Sequence, residues 1–417
     1  MKVLKGACLF GQSGGPTSVI NASAAGVFIE ALSQENITAV YGAEHGIKGI
    51  LNERFFDISR EDREELELLK TTPSSSLGSV RYKLKSEDVD ETDYIKLLEV
   101  FKKYNIRYFF YNGGNDSMDT CNKISKYMQK SGHECRVIGV PKTIDNDLAI
   151  TDHCPGYGSA AKYVATTLME LYLDTHVYDT GLITVVEIMG RNAGWLTAAS
   201  QLAKYKNLGP DLVYLPEKAF DLDQFIKDVK RVAKMKKDKV IIAVSEGIKD
   251  KSGKYISEYA STVTRDSFGH AQLGGLANFL ANEINRATNI KVRPIEFSLM
   301  QRCGAHLASA TDVEEAFMAG VMAVRSAING ETDKMVIFRR DEKSNKYKIN
   351  YDLIDVNLVA NAEKKVPLEW IKDDNSGLTQ EFVDYALPLI QGDFKAPLVD
   401  GLPRFVKLKK ELVTIKQ

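Results

Sequence analysis

Residues 106–117, IRYFFYNGGNDS, join an aromatic and β-branched run to a turn that contains two glycines. The first six residues favour a buried strand, because such side chains pack well on a pleated surface. Residues 93–104, just before it, carry apolar side chains at helical spacing, with Asn105 as a plausible cap. A helix followed by a strand that ends in a glycine-rich loop is typical of an α/β fold.

The same alternation of short apolar runs and longer helical stretches recurs on both sides of this segment. Further strands are predicted at residues 2–10, 136–140, 181–189, 239–245 and 292–297, and further helices at 19–32 and 273–284. This rhythm predicts mostly parallel sheets covered by helices on both faces. We expect two Rossmann-like, three-layer α/β domains followed by a C-terminal extension.

The expected boundaries divide the chain into three parts. Residues 1–150, joined by part of 250–300, form the first domain, and residues 151–330 form the second. Residues 331–417 form the extension, which begins with a hairpin at 335–351. The length of 417 residues fits domains of ~100–200 residues that each bury a core.

Composition and charge argue against several classes of protein. Lys and Arg number 55 and Asp and Glu 56, so the net charge of −1 gives no footprint for nucleic acid or an anionic membrane. The chain has no uncharged apolar run of ~18 residues, and its first apolar stretch is too short for a signal peptide. Five scattered cysteines without a CxxC pair favour reduced thiols and a cytoplasmic protein. The six histidines lack metal-ligand spacing, and no Gly-x-Ser-x-Gly elbow occurs.

Two glycine-rich loops follow predicted strands, at the sheet edge where open α/β sheets bind ligands. They are GQSGGPTS at residues 11–18 and GGNDS at 113–117, and each opens a predicted helix. The glycines let the backbone approach a ligand, and a helix N-terminus favours an anion. Either loop alone is equally well explained as a tight connection with a helix cap. Two in one chain favour a phosphate cradle, where a carboxylate could bind Mg²⁺.

A third loop, PKTIDND at residues 141–147, clusters a lysine, a threonine and two aspartates. Turn chemistry alone does not account for this cluster. An aspartate there could accept a proton from a sugar hydroxyl, while the lysine neutralises charge on a transferred phosphoryl group.

Later loops add further candidates. Arg191 in MGRNAGW suits a phosphate and Glu246 in SEG suits a sugar hydroxyl, although each alone is explained as well by a surface charge or a helix-terminus contact. Arg293 and the QRCG stretch at 301–304 complete this set. The serine-rich patch at 71–76 is either a solvated loop or a mobile loop that carries the cationic GSVRYKLK stretch.

Taken in order, SGGPTSVIN, GSVRYKL, GGNDS, PKTIDND, MGRNAGW, SEG and QR resemble the motifs of the phosphofructokinase superfamily over residues 1–325. The sequence is similar in particular to the diphosphate-dependent members. The resemblance implies two domains of the phosphofructokinase type, the first for the phosphoryl donor and the second for the sugar phosphate. It also implies reversible phosphoryl transfer from diphosphate to the 1-hydroxyl of fructose 6-phosphate in glycolysis, with Mg²⁺ as cofactor and a homodimer or homotetramer as the assembly.

The resemblance also implies a role for each matching residue. Asp145 matches the base that deprotonates the sugar hydroxyl, and one of Arg293 and Arg302 commonly crosses a subunit interface in the family. The implied catalytic residues are Asp145, Lys142, Asp116 and Arg191. The implied donor-binding residues are Gly14, Arg81, Gly114, Asn115 and Lys142. The implied sugar-phosphate residues are Thr143, Asp145, Met189, Gly190, Arg191, Glu246, Arg293, Leu299 and Arg302. The implied metal-binding residues are Asn115, Asp116 and Asp147.

Three positions depart from the family pattern. Asn115 stands where the family has an aspartate associated with Mg²⁺, and a neutral amide is a weaker ligand for a hard cation. Either Asp116 neutralises more of the metal's charge, or Mg²⁺ enters the site mainly as a complex with diphosphate. Leu182 and Leu299 replace residues that reach the sugar phosphate in many relatives, so a differently built clamp for the sugar phosphate is expected.

Asp116 bears on the choice of donor. ATP-using relatives typically have glycine there, which leaves room for the α-phosphate of the nucleotide, so a carboxylate favours diphosphate. The alternatives are an ATP-dependent 6-phosphofructokinase and a non-catalytic regulatory subunit that binds sugar phosphate. A larger substrate such as sedoheptulose 7-phosphate stays open as well.

Overall fold

The structure is a computed structural model that describes residues 4–259, 275–360 and 362–414. Within them the strands are β1 (Gly6–Gln12), β2 (Ile37–Ala43), β3 (Phe55–Asp57), β4 (Ile106–Gly113), β5 (Arg136–Pro141), β6 (Leu182–Ile188), β7 (Leu212–Tyr214), β8 (Lys239–Ser245), β9 (Val292–Glu296), β10 (Lys334–Arg340), β11 (Ile349–Asp355), β12 (Leu398–Val399) and β13 (Leu402–Pro403).

The α-helices alternate with the strands over most of the chain. They are α1 (Ile20–Leu32), α2 (Ile47–Leu51), α3 (Arg63–Leu68), α4 (Thr92–Lys103), α5 (Asn115–Lys130), α6 (Tyr157–His176), α7 (Trp195–Ala198), α8 (Ser200–Tyr205), α9 (Leu222–Met235), α10 (Leu276–Thr288), α11 (Met300–Cys303), α12 (Ala310–Ile328), α13 (Val356–Val359) and α14 (Gln380–Ala386). Leu273, the first residue of the predicted helical stripe at 273–284, lies outside the described residues. In the described part of the chain, we find no helix long and apolar enough to cross a membrane.

A seven-stranded sheet in the order β11-β10-β5-β4-β1-β2-β3 organises the first unit. Its central pairs are parallel, and its outermost pairs, β10–β11 and β2–β3, are antiparallel. Phe109 and Tyr111 of β4 pack on one face, with α4 and α5. Tyr108 and Phe110 pack on the other, with α1 and α12. Because β4 is covered on both faces, its sequence is a continuous apolar run.

A four-stranded parallel sheet in the order β7-β8-β6-β9 organises the second unit. Helices α6, α7 and α8 cover one face, and α9 and α10 cover the other. Both units therefore have three layers, as expected for a Rossmann-like α/β fold.

The observed packing departs from the expected domain boundaries at β9 and at α12. β9 lies within the 250–300 segment, part of which was expected to join the first domain, and it pairs with β6 in the second sheet. Helix α12, expected in the second domain, packs on α1 of the first, where a Cβ at Gly320 would come 2.2 Å from the Ser23 carbonyl oxygen. Only a glycine permits this close approach of the two helices.

The C-terminal extension is part of both units. Its predicted hairpin is confirmed, since β10 and β11 are antiparallel, and β10 also pairs with β5 at the edge of the first sheet. Further along, Phe382, Val383 and Ala386 of α14 pack in the core of the second unit. Burial of these apolar side chains explains why the extension is not a separate body.

Candidate active site

A cavity of about 590 Å³ lies where loops after β1, β4 and β5 meet loops after β6 and β8. Carboxyl ends of parallel strands are the expected place for a ligand in both sheets. The predicted site residues that line it are Gly14, Arg81, Gly114, Asn115, Asp116, Lys142, Thr143, Asp145, Asp147, Met189, Arg191, Glu246 and Arg302. Loops that are distant in sequence thus form one polar cavity between the two sheets.

The loop after β1 is attached to two other segments. The Lys142 ammonium group, from the loop after β5, donates a hydrogen bond of 2.7 Å to the Gly15 carbonyl oxygen. The Ser79 hydroxyl donates to the Gly14 carbonyl oxygen over the same distance of 2.7 Å, two residues before Arg81. Burial lowers the pKa of Lys142 to about 8, because the protein interior disfavours the charged form.

The loop after β4 begins helix α5 with Asn115 and Asp116. The Asn115 side-chain amide donates a 3.3 Å hydrogen bond to the Asp147 carboxylate, which brings the second and third loops together. The Asn115 Oδ1 atom is buried without a hydrogen-bond partner, and Asn115 is one of the residues that line the cavity. In the described parts of the chain, no three His, Cys, Asp or Glu side chains lie close enough together to hold a metal ion.

The loop after β5 holds two carboxylates in the cavity. The backbone N–H of Asp145 donates to the Thr143 hydroxyl at 3.1 Å, which orients the loop locally. Withdrawal from water, and then the negative charge of Glu246, raise the pKa of Asp145 to about 6. Burial and the charge of Asp145 raise the pKa of Asp147 in the same way. A carboxylate with a raised pKa is a stronger base, so Asp145 is suited to accept a proton near neutral pH.

The loops of the second unit complete the other side. Gly190, at φ 142°, does not line the cavity itself; its N–H donates to the Glu246 carboxylate at 3.2 Å. A Cβ at this position would lie 2.7 Å from the Ala193 carbonyl oxygen, so only glycine fits. Burial raises the pKa of Glu246 to about 7. Met189 is held by its N–H, which donates to the Gln301 side chain at 3.2 Å.

Cationic side chains surround these carboxylates. The Arg302 guanidinium lies close to the loop after β1, since a Cβ at Gly15 would be 3.1 Å from its Nη1 atom. Burial, followed by the positive charge of Arg81, lowers the pKa of Arg302. Together with Arg191 and Lys142, these side chains provide a positive environment that suits phosphate groups.

Two of the predicted residues, Arg293 and Leu299, do not line the cavity. Arg293 lies near the amino end of β9, opposite Thr184, and forms an ion pair of 2.8 Å with Asp174. The cavity lies at the carboxyl ends of the strands, which is why Arg293 cannot reach it within one chain. The Leu299 side chain is 53% exposed, just before α11. Their predicted contact with the ligand is therefore absent from the cavity of this chain.

Several lining residues were not predicted from the sequence. Ser13, Thr17 and Ser117 belong to motifs whose other members were selected. Glu363 is different, because it comes from the C-terminal extension and accepts a 2.7 Å hydrogen bond from the Asn192 amide. Its negative charge adds to the effects that raise the pKa of Asp147. No local pattern around residue 363 indicates this position, since only the folded extension brings it to the cavity.

Comparison with known proteins agrees with this arrangement. The family model described as phosphofructokinase matches residues 8–327. The chain is 42% identical to the pyrophosphate–fructose 6-phosphate 1-phosphotransferase of Xanthomonas campestris pv. campestris (strain B100), with 99% of this chain and 98% of the relative covered. It is also 42% identical to the protein of the same name from Halomonas elongata, covering 98% and 97%.

A solved structure is similar over the whole chain as well. The pyrophosphate-dependent phosphofructokinase from Nitrosospira multiformis aligns with a TM-score of 0.88 and 38% identity. The alignment covers 99% of this chain and 98% of that one. This chain and that structure therefore share one fold over nearly their whole lengths.

Proposed function

The chain belongs to the phosphofructokinase family, and from this premise we propose that it transfers a phosphoryl group from inorganic diphosphate to the 1-hydroxyl of fructose 6-phosphate. The products are fructose 1,6-bisphosphate and phosphate. The observation that carries the proposal is the meeting of Asp145, Lys142 and Arg191 in one cavity. A base and two cations at one place are what this transfer requires of a protein.

Asp145 is the proposed general base. It accepts the proton of the sugar 1-hydroxyl as the oxygen of that hydroxyl forms its bond to the transferred phosphorus. Support comes from its place in the cavity and from a pKa raised to about 6, which makes the ionised form a competent base at neutral pH. Thr143, whose hydroxyl accepts from the Asp145 N–H, orients the loop that carries the base.

Lys142 and Arg191 are the proposed charge-stabilising residues. As the bond between the transferred phosphorus and the bridging oxygen breaks, negative charge grows on the departing phosphate. A pre-positioned ammonium or guanidinium group stabilises such charge without reorganisation of water. Both side chains line the cavity, and the loop after β1 with Gly14 and Arg81 is proposed to hold the rest of the donor.

The sugar phosphate is proposed to bind on the side of the second unit. Glu246 accepts a hydrogen bond from a sugar hydroxyl. The Met189–Gly190 backbone and Arg302 bind the remaining groups of the sugar phosphate. The hydrogen bond from Gly190 to Glu246 supports this role, because it directs the carboxylate. By the same division, residues around the seven-stranded sheet bind diphosphate, and those around the four-stranded sheet bind the sugar.

The proposed cofactor is Mg²⁺, with Asn115, Asp116 and Asp147 as the residues that would hold it. When bound, the ion would neutralise charge on the diphosphate oxygens. Three oxygen-bearing side chains suit a hard cation, and the unpartnered Asn115 Oδ1 is one of these oxygens. Because an amide replaces one carboxylate, we propose that diphosphate itself supplies a large share of the ligands.

The proposed assembly is a homodimer or homotetramer. Arg293 and Leu299 lie outside the cavity of their own chain, which supports a role for them in the site of a neighbouring copy. Light scattering coupled to size exclusion would measure the mass in solution, and a monomer would refute the proposed assembly.

A reducing, cytoplasmic location is supported by the five cysteines, all described and all unpaired.

The central test is an assay of the purified chain with fructose 6-phosphate and Mg²⁺, with diphosphate or ATP at equal concentration. Formation of fructose 1,6-bisphosphate with diphosphate, and little with ATP, is expected. The reverse reaction should run from fructose 1,6-bisphosphate and phosphate. A preference for ATP would favour the kinase alternative, and no product with either donor would favour a non-catalytic regulatory subunit.

A further inference from the structure

Asn146 is the buried residue between the two cavity carboxylates, Asp145 and Asp147. Its backbone is in the left-handed region, at φ 54°. Asparagine tolerates this conformation better than most residues, yet it still requires support from its surroundings. The turn it makes lets the side chains on both sides face the cavity while its own points into the protein.

Both ends of the Asn146 side chain are held. Its Oδ1 atom accepts a 2.9 Å hydrogen bond from the backbone N–H of Cys154. Its Nδ2 group donates a 2.7 Å hydrogen bond to the hydroxyl of Tyr385, in helix α14 of the C-terminal extension. The turn of the proposed catalytic loop therefore depends on a residue far away in the sequence.

The Tyr385 hydroxyl is itself fixed in place. It donates a 2.8 Å hydrogen bond to the Asp152 carbonyl oxygen. The hydroxyl therefore accepts a hydrogen bond from Asn146 and donates one to Asp152, which joins these two parts of the loop. The ring packs against Trp195 at 5.1 Å between centroids, and the Arg340 guanidinium lies 5.1 Å from it. These contacts hold the ring independently of the hydroxyl, so the hydroxyl can be removed without displacing the side chain.

A second contact from the extension supports the same loop. The backbone N–H of Lys364 donates a 2.7 Å hydrogen bond to the Asp147 carbonyl oxygen. The Lys364 ammonium group donates to the Asp152 carbonyl oxygen at 2.6 Å, next to the bond that Tyr385 makes there. The loop is thus held from behind at Asn146 and at Asp147.

We propose that Tyr385 is a positioning residue for phosphoryl transfer, which acts through Asn146 to keep Asp145 and Asp147 directed into the cavity. This inference rests on the proposed function for its kinetic part. A reaction of this type depends on accurate placement of the base against the sugar hydroxyl, and a small misplacement can lower the rate about 100-fold. Substrate binding depends mainly on other side chains and should change little.

The test is Tyr385→Phe, which removes the hydroxyl and keeps the packed ring. We expect kcat to fall about 10- to 100-fold, with KM for fructose 6-phosphate and diphosphate little changed. Hydrogen–deuterium exchange should become faster at the amides of residues 143–148, and this measurement does not depend on activity. If the parent chain lacks the proposed activity, the exchange result alone decides whether Tyr385 holds the loop.

Tyr214→Phe is the matched control. The Tyr214 hydroxyl is also buried and donates a 3.0 Å hydrogen bond, to Asp228, but it does not line the cavity. This control should lose similar thermal stability without loss of kcat or faster exchange at 143–148. The proposal is overturned if Tyr385→Phe keeps kcat within twofold of the parent, if exchange at 143–148 is unchanged, or if the control shows the same changes.

Discussion

The Lys142 ammonium group donates a hydrogen bond of 2.7 Å to the backbone carbonyl oxygen of Gly15. This contact joins the loop after β5, which carries the proposed base, to the loop after β1, which is proposed to hold the donor. Lys142 is only 3% exposed, so its ammonium group is largely shielded from water. The proposed donor-binding loop and the loop that carries the proposed base are thereby placed next to each other before any ligand binds.

The donor preference should depend on Asp116 together with Lys142. Asp116→Gly with Lys142→Gly should weaken the use of diphosphate and admit some ATP, because it removes a carboxylate that repels a nucleotide α-phosphate. The ratio of kcat/KM for the two donors measures this. Asp119→Gly, on the same helix but outside the cavity, controls for the cost of a helical glycine. A double variant that keeps the parent's ratio would contradict this interpretation.

Asp145→Asn should lower kcat by ~10²–10⁴, the usual contribution of a general base. The amide keeps the shape of the side chain but cannot accept the proton. Calorimetric binding of fructose 6-phosphate should change much less than turnover. Turnover within tenfold of the parent would exclude Asp145 as the base.

The pH dependence of kcat/KM should be bell-shaped. The raised pKa of Asp145, about 6, means that the base is ionised only above that pH. The lowered pKa of Lys142, about 8, means that its positive charge is lost above pH 8. Initial rates from pH 5 to pH 9 at low substrate would show limbs near these values. Constant kcat/KM across this range would be inconsistent with both assignments.

The same Asp145→Asn change should stabilise the fold above pH 6. A carboxyl group whose pKa is about 6 in the folded protein against 3.8 ordinarily favours the folded state at low pH. That advantage is lost as pH rises from about 4 to 6, and at pH 8 the buried charge costs on the order of 2–3 kcal/mol. Urea denaturation at pH 5 and pH 8 should show the larger gain for the variant at pH 8. The exposed Asp373→Asn is the control, and an equal gain at both pH values would argue against a buried charge.

Arg302→Ala should raise KM for fructose 6-phosphate much more than KM for diphosphate. The guanidinium fork can pair with two phosphate oxygens, and alanine removes both bonds. Arg302→Lys keeps the charge without the fork, so it should recover only part of the loss. An equal rise in both KM values would indicate a structural role, which the proximity of Arg302 to Gly15 would then explain.

Local patterns were enough to predict several of the elements, among them β4 and α4. The apolar run of β4 is continuous because this strand is buried on both faces, and the apolar residues of α4 recur at helical spacing because this helix is buried on one face. Both patterns are visible within a dozen residues. The loops after β1, β4 and β5 were predicted as ligand sites for the same reason, because parallel strands bring their carboxyl ends to one edge.

Long-range pairing could not be inferred in this way. The partner of β9 and the attachment of β10 to β5 depend on which strand edges and apolar faces remain free once the rest has folded, and no short pattern encodes that. The position of Arg293 outside the cavity follows from the pairing of β9, whereas Glu363 reaches the cavity through its own long-range contacts with Leu148 and Asn192. The contact of Tyr385 with Asn146 is of the same kind: its residue types are visible in the sequence, but the 2.7 Å between them exists only because the core of the second unit binds α14 behind the loop.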